Sequence, residues 1–195
     1  MSIRYYDDFK VGDRFTSAGL TMTESAIIDF AREWDPQPFH TDAEFAKKWT
    51  FGGLIASGLH TMAVTLRLWL DQGVFRSCSL GSPGIGEVQF PRPVRPGDTL
   101  RVVTDIAELR LSASKPDRGI ARIRQVTINQ HGEAVLEQET TVFLKRRPVM
   151  VANVSARSGK INARQTPAAR NGRRACRGRR GRPRGTGRAR PRSAR

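Results

Sequence analysis

The sequence predicts an α+β fold in which a curved antiparallel sheet wraps around a central buried helix. Two observations carry this expectation. From Leu59 to Leu70 apolar residues cover most of a helical circumference, the mark of a helix packed on several sides. The stretches 99–112, 119–130 and 133–146 are rich in β-branched residues and are separated by the turns "SKPDRG" and "QHG". Three such strands form a meander that can enclose one helix.

The elements follow in order. "DFKVGDRFTSAGLTMT" (8–23) has a Gly-Asp turn and then a short β-capable stretch. In "TESAIIDFAREW", Ile27, Phe30, Ala31 and Trp34 recur at helical spacing, with Thr23 or Ser25 available as a cap. That helix ends near Trp34–Asp35, because Pro36 disfavours helical geometry in the residue before it. "TDAE" (41–44) reads as a capping box with Thr41 as N-cap, which starts a short helix reaching about Trp49. His40 then falls just before a helix start, where the dipole favours a neutral imidazole. "FGGLIASG" (51–58) collects small residues ahead of the apolar helix. "GEVQFPRPVRPGDTLRV" gives a strand, a Pro-rich bend and a Pro-Gly-Asp turn leading into the meander.

Charge separates the chain into two parts. The whole carries a formal +16, yet residues 1–145 hold 17 Lys and Arg against 18 Asp and Glu. The remaining 17 basic residues lie in 146–195, without a single acid. Residues 1–147 are therefore expected to form one near-neutral globular domain, and 148–195 an Arg-rich tail unable to bury enough surface to order itself. The tail can attract nucleic acid by charge, but it has no aromatic ring on which to stack bases. Its composition also suits an incidental extension, and that reading is preferred.

Cys78 and Cys176 lack the spacing of a disulfide framework or zinc site, and His40, His60 and His131 are scattered. Neither a metal nor a cofactor is expected. The N-terminus has no apolar signal core, and the run "MAVTLRLWL" is too short to span a bilayer. A cytoplasmic protein is the expectation.

The segment "EWDPQPFHTD" (33–42) places a carboxylate, Asp35, and an imidazole, His40, five residues apart on a chain stiffened by Pro36 and Pro38. Such a pair can take and return a proton. The residues "DPQPFHTD", "FGGLIASG" and "PVRPGDTL", in this order and at these spacings, resemble the MaoC-like dehydratases, a hot-dog-fold family that includes the (R)-specific enoyl-CoA hydratases. The resemblance covers roughly residues 4–147. It implies Asp35 and His40 as the catalytic pair, the amide of Gly58 as oxyanion donor, and a homodimer or higher homo-oligomer; Ser57 beside Gly58 reads either as a substrate-binding residue lining the pocket or as a small residue in a tight turn. The resemblance also implies an acyl-CoA thioester as substrate, hydrated as a trans-2-enoyl or formed by dehydrating an (R)-3-hydroxyacyl group. The chain departs from the family at Gln37, usually Asn, and at Trp34, often Gly. The alternative is a non-catalytic acyl-CoA or nucleic-acid binding module on the same fold. Of the remaining candidates, His60 reads as packed and hydrogen-bonded, Asp42 as a helix N-terminal charge and Cys78 as an inert thiol. Arg92 and Arg95 are left open between the coenzyme phosphates and a solvated strand end.

Overall fold

A computed structural model describes residues 3–148. A short 3₁₀ turn, Tyr6–Asp8, precedes strands β1 (Arg14–Thr16) and β2 (Leu20–Thr21). Helices α1 (Glu24–Trp34), α2 (Pro38–Thr41), α3 (Ala43–Lys47) and α4 (Gly58–Asp71) follow. The chain then enters β3 (Gly84–Gln89) and the meander β4 (Thr99–Leu111), β5 (Arg118–Ile128) and β6 (Ala134–Lys145). The strands pair antiparallel in the order β1-β4-β5-β6-β3, with β2 also on β4. The sheet packs on α4, the α+β arrangement expected.

Alternation along the meander sorts its side chains. In β5, Ile123, Gln125 and Thr127 are buried while Arg122 and Arg124 are exposed. The outer arginines pair across strands, Arg122 with Glu108 (3.2 Å) and Arg124 with Glu137 (2.7 Å). The inner face joins two apolar clusters. Val64 and Leu68 of α4 pack with Ile27, Leu54, Val94 and Leu100. Trp69 packs with Phe75, Ile106, Ile123 and Leu144. Polar groups cross this face as well. Thr65 of α4 bonds Thr127 of β5 at 2.7 Å, and Thr104, Gln125 and Gln138 stand opposite one another in adjacent strands.

Two expectations are corrected. The N-cap of α3 is Asp42, whose Oδ1 accepts from the amides of Glu44 and Phe45. Thr41 instead closes α2, so His40 lies inside a short helix and not ahead of one. A carboxylate outcompetes a hydroxyl for two converging amides. The central helix is also not buried all round, since Leu59, Leu66 and Leu70 are each about half exposed. The chain's own sheet covers only one side of α4. Among the described residues β3 is an edge strand that pairs only with β6, and Ile85 and the neighbouring Phe90 are exposed too.

No described helix is long and apolar enough to cross a membrane. The Arg-rich segment expected from 148 onward lies, beyond its first residue, outside the described residues.

Candidate active site

The end of α1, the turn of α2 and the start of α4 converge. Thr23 caps α1 through Ala26 N, and Asp35 terminates the helix with φ −153° and ψ 70°, its amide still donating to Ala31. Pro36 enforces that exit. Pro38 then occupies the first turn of α2, where its missing N–H costs nothing. Two residues later His40 turns inward and is buried. The segment 54–57 is pinned beside it, Ile55 N donating to Phe39 O at 3.3 Å and Ala56 N to Val94 O at 2.8 Å.

The Nδ1 of His40 lies 2.8 Å from the carbonyl of Ile55. A carbonyl only accepts, so this bond assigns the proton to Nδ1 and leaves the Nε2 lone pair free. Nε2 faces Asp35 Oδ2 at 3.4 Å. Each oxygen of Asp35 has its own donor: Gln37 Nε2 at 2.8 Å on Oδ1, and Ser57 Oγ at 2.6 Å on Oδ2. Burial pushes the Asp35 carboxyl up. The Ser57 and Gln37 hydrogen bonds, with a smaller contribution from the neighbouring His40, outweigh it, and the group sits below its ordinary value. The site thus favours a carboxylate.

Ser57 is also the N-cap of α4, accepting from Leu59 N at 3.1 Å. Its one proton goes to Asp35, so it buttresses the acid/base pair. Gly58 is the first residue of α4, where the amide has no partner within the helix. A Cβ at Gly58 would lie 3.0 Å from the ring of Phe90. His40, Gly58, Thr61 and the rings of Phe39, Phe51 and Phe90 all line one cavity of about 390 Å³.

All four residues named from sequence therefore gather in one place. Spacing did not single out two of the roles seen here. Gln37 donates to Asp35, a role that its departure from the family's Asn does not reveal. His60 is packed as expected, on Phe30, but its Nδ1, expected to be hydrogen-bonded, has no partner among the described residues. Arg92 lines the cavity and pairs with Glu133 at 3.2 Å, while Arg95 donates to the carbonyl of Phe51. Cys78 is buried, and burial pushes its thiol up to about 11. Among the described residues no three His, Cys, Asp or Glu side chains group as metal ligands would.

Residues 9–127 match the MaoC like domain. The chain belongs to that family. Relatives of this MaoC-like chain include an uncharacterized protein of Bacillus subtilis, 32% identical over 140 residues, which span 72% of this chain and 98% of that protein. A 3-hydroxybutyryl-CoA dehydratase of Methylorubrum extorquens is 30% identical over 156 residues, covering 75% and 88%. Among solved structures, a MaoC-like dehydratase from Rhodospirillum rubrum is 42% identical, with a TM-score of 0.70 over 75% of this chain and 99% of that one. The fold is the hot-dog arrangement of an antiparallel sheet around a helix, and the MaoC-like family includes hydratases and dehydratases.

Proposed function

We propose that the protein hydrates trans-2-enoyl-CoA thioesters, or dehydrates the corresponding (R)-3-hydroxyacyl-CoA, with Asp35 and His40 as its acid/base pair. The approach of His40 Nε2 to Asp35 Oδ2 at 3.4 Å carries this reading. With Nδ1 engaged by Ile55 and Asp35 ionised, two acceptors face each other. One water can donate to both, which turns its oxygen lone pairs outward toward a bound substrate. Its oxygen bonds to Cβ of the enoyl group, the pair takes the proton it loses, and a proton from the pair goes to Cα. Charge builds meanwhile on the thioester oxygen, where the free amide of Gly58 is the donor assigned. Acid/base catalysis of this kind contributes about 10²–10⁴-fold and one oxyanion donor about 10²–10³-fold. The similarity to a 3-hydroxybutyryl-CoA dehydratase supports a coenzyme A thioester.

The assembly proposed is a homodimer or a multiple of it. The half-exposed Leu59, Leu66 and Leu70 of α4 and the edge strand β3 offer an apolar stripe and an unpaired ladder on the same chain. Edge strands left open invite pairing. Residues 148–195 are assigned no part in the chemistry, so a chain ending at Pro148 retains turnover.

The test is loss of enoyl-thioester absorbance for a series of trans-2-enoyl-CoAs, beginning with the four-carbon member. Turnover of at least one, abolished in Asp35→Asn and His40→Gln, supports the reading. Tight binding with no turnover of any member would make the protein a binding module instead.

A further inference from the structure

The two helices that carry the candidate site meet at a second point. In the first turn of α4 the imidazole of His60 lies flat on the ring of Phe30 in α1, centroids 4.4 Å apart and planes within 4°. His60 is only 8% exposed, and its Nδ1 has no hydrogen-bond partner among the described residues. Phe30 precedes Asp35 by five residues, and His60 follows Ser57 by three. The apolar packing of Ile27 on Val64 and Leu68 holds the two helices together farther from the site, and the Ser57–Asp35 bond joins them at its edge. The His60–Phe30 stack lies between, about 7–8 Å back along α1 and 4–5 Å along α4 at about 1.5 Å per residue, and is the packing contact nearest the acid/base pair.

We propose that His60 is a positioning residue, and that its stack on Phe30 holds the start of α4 in register with the end of α1. Ser57 Oγ and the Gly58 amide are thereby placed where Asp35 and the thioester need them. This rests on the reading of Asp35 and His40 as the acid/base pair. Burial holds His60 below its ordinary value and so favours the uncharged ring, with no charged group contributing. A phenyl ring would stack equally well without the unpartnered nitrogen, which is a destabilising feature. The stack and not the nitrogen is assigned the role, so His60→Phe is the conservative variant that must restore function.

The experiment compares His60→Ala, His60→Phe and Phe30→Leu with wild type in turnover, pH profile and thermal midpoint. Displacements of about 1 Å at a reacting centre cost on the order of 10²-fold. His60→Ala is therefore expected to lower kcat by about ten- to a hundredfold, with KM less affected. Its acid limb in kcat/KM moves to higher pH, because a weaker Ser57 bond no longer holds the Asp35 carboxyl as low. Phe30→Leu gives the same pattern from the other helix, and His60→Phe returns kcat and the acid limb close to wild type. A residue that only supports the fold would lower the thermal midpoint without moving the acid limb.

Wild-type kcat and acid limb in His60→Ala would overturn the proposal. So would a folded His60→Phe as slow as His60→Ala. Should His60→Ala not fold, Phe30→Leu and His60→Phe decide by the same criteria. Failure of the underlying reading is distinguishable, since Asp35→Asn and His40→Gln would then retain activity.

Discussion

Ser57 Oγ donates to Asp35 Oδ2 at 2.6 Å across 22 residues of chain. That bond joins the end of α1 to the start of α4 and helps hold the carboxyl below its ordinary value. In Ser57→Ala the lowering influence is lost and burial still pushes upward. The acid limb of kcat/KM is expected to move to higher pH. For a carboxyl depressed in the folded state, the stabilisation is present above its unfolded value of about 4 and is lost as pH falls through the folded value. The variant loses part of this contribution at neutral pH, so its thermal midpoint differs from wild type more at pH 7 than at the acid end. Parallel pH profiles of activity and melting check both statements.

Asp35→Asn and His40→Gln are each expected to lower enoyl-CoA hydration by at least about 10²-fold, within the range for acid/base groups. Both replacements keep approximate shape and polarity, so the fold should survive, with Asp35→Asn melting lower at neutral pH because it gives up the contribution of the depressed carboxyl. The double variant should be little slower than the slower single one, since groups that act as a unit are not additive. Near-wild-type rates in both folded singles would remove the pair from the mechanism.

Gly58→Ala sets two effects against each other. Alanine in a helix is better than glycine by up to about 1 kcal/mol. The added Cβ meets the tip of the half-exposed Phe90 ring at 3.0 Å, so the ring must give way by a few tenths of an ångström. Turnover should fall by about tenfold or more if an oxyanion donor is displaced. Phe90→Ala in the same chain should return part of it. No difference between the single and double variants would show that the ring is not the cause.

Leu66→Asp puts a charge in the middle of the exposed stripe of α4. Light scattering at micromolar concentration should show the assembly dissociating, with activity falling alongside. An unchanged mass would move the interface elsewhere.

Thr65→Val removes the partner of the buried Thr127 hydroxyl. An orphaned buried group costs about 1–3 kcal/mol, whereas replacing both partners can be nearly neutral. Thr65→Val should therefore melt lower than wild type, and Thr65→Val with Thr127→Val should recover much of the loss.

Local chemistry was the legible part of this protein. Pro36 marks the end of α1 from sequence alone, and the three long strands begin and end within two residues of their expected limits. Asp35 and His40 stood out because two prolines fix the short chain between them. Partners distant in sequence were not legible. Nothing in "SGLHT" shows that Ser57 turns its proton toward a carboxylate 22 positions earlier, or that His60 lies on Phe30. Hydrophobic count likewise shows that α4 prefers cover on several sides, but not whether its own sheet or another surface provides it. The α3 cap was missed for a smaller reason. Thr41 and Asp42 are adjacent candidates, and only backbone geometry decides which one the amides reach.

The opposed faces of the meander also bear on how the chain avoids misfolding. A strand displaced by one residue exchanges its two faces. For β5 such a slip would send Gln125 and Ile123 to solvent and draw Arg122 and Arg124 beneath Trp69, away from Glu108 and Glu137. Burying unpaired charge costs several kcal/mol per ion even after relaxation. The surface ion pairs, worth little to the finished fold one by one, thus belong to residues that forbid the nearest wrong pairing.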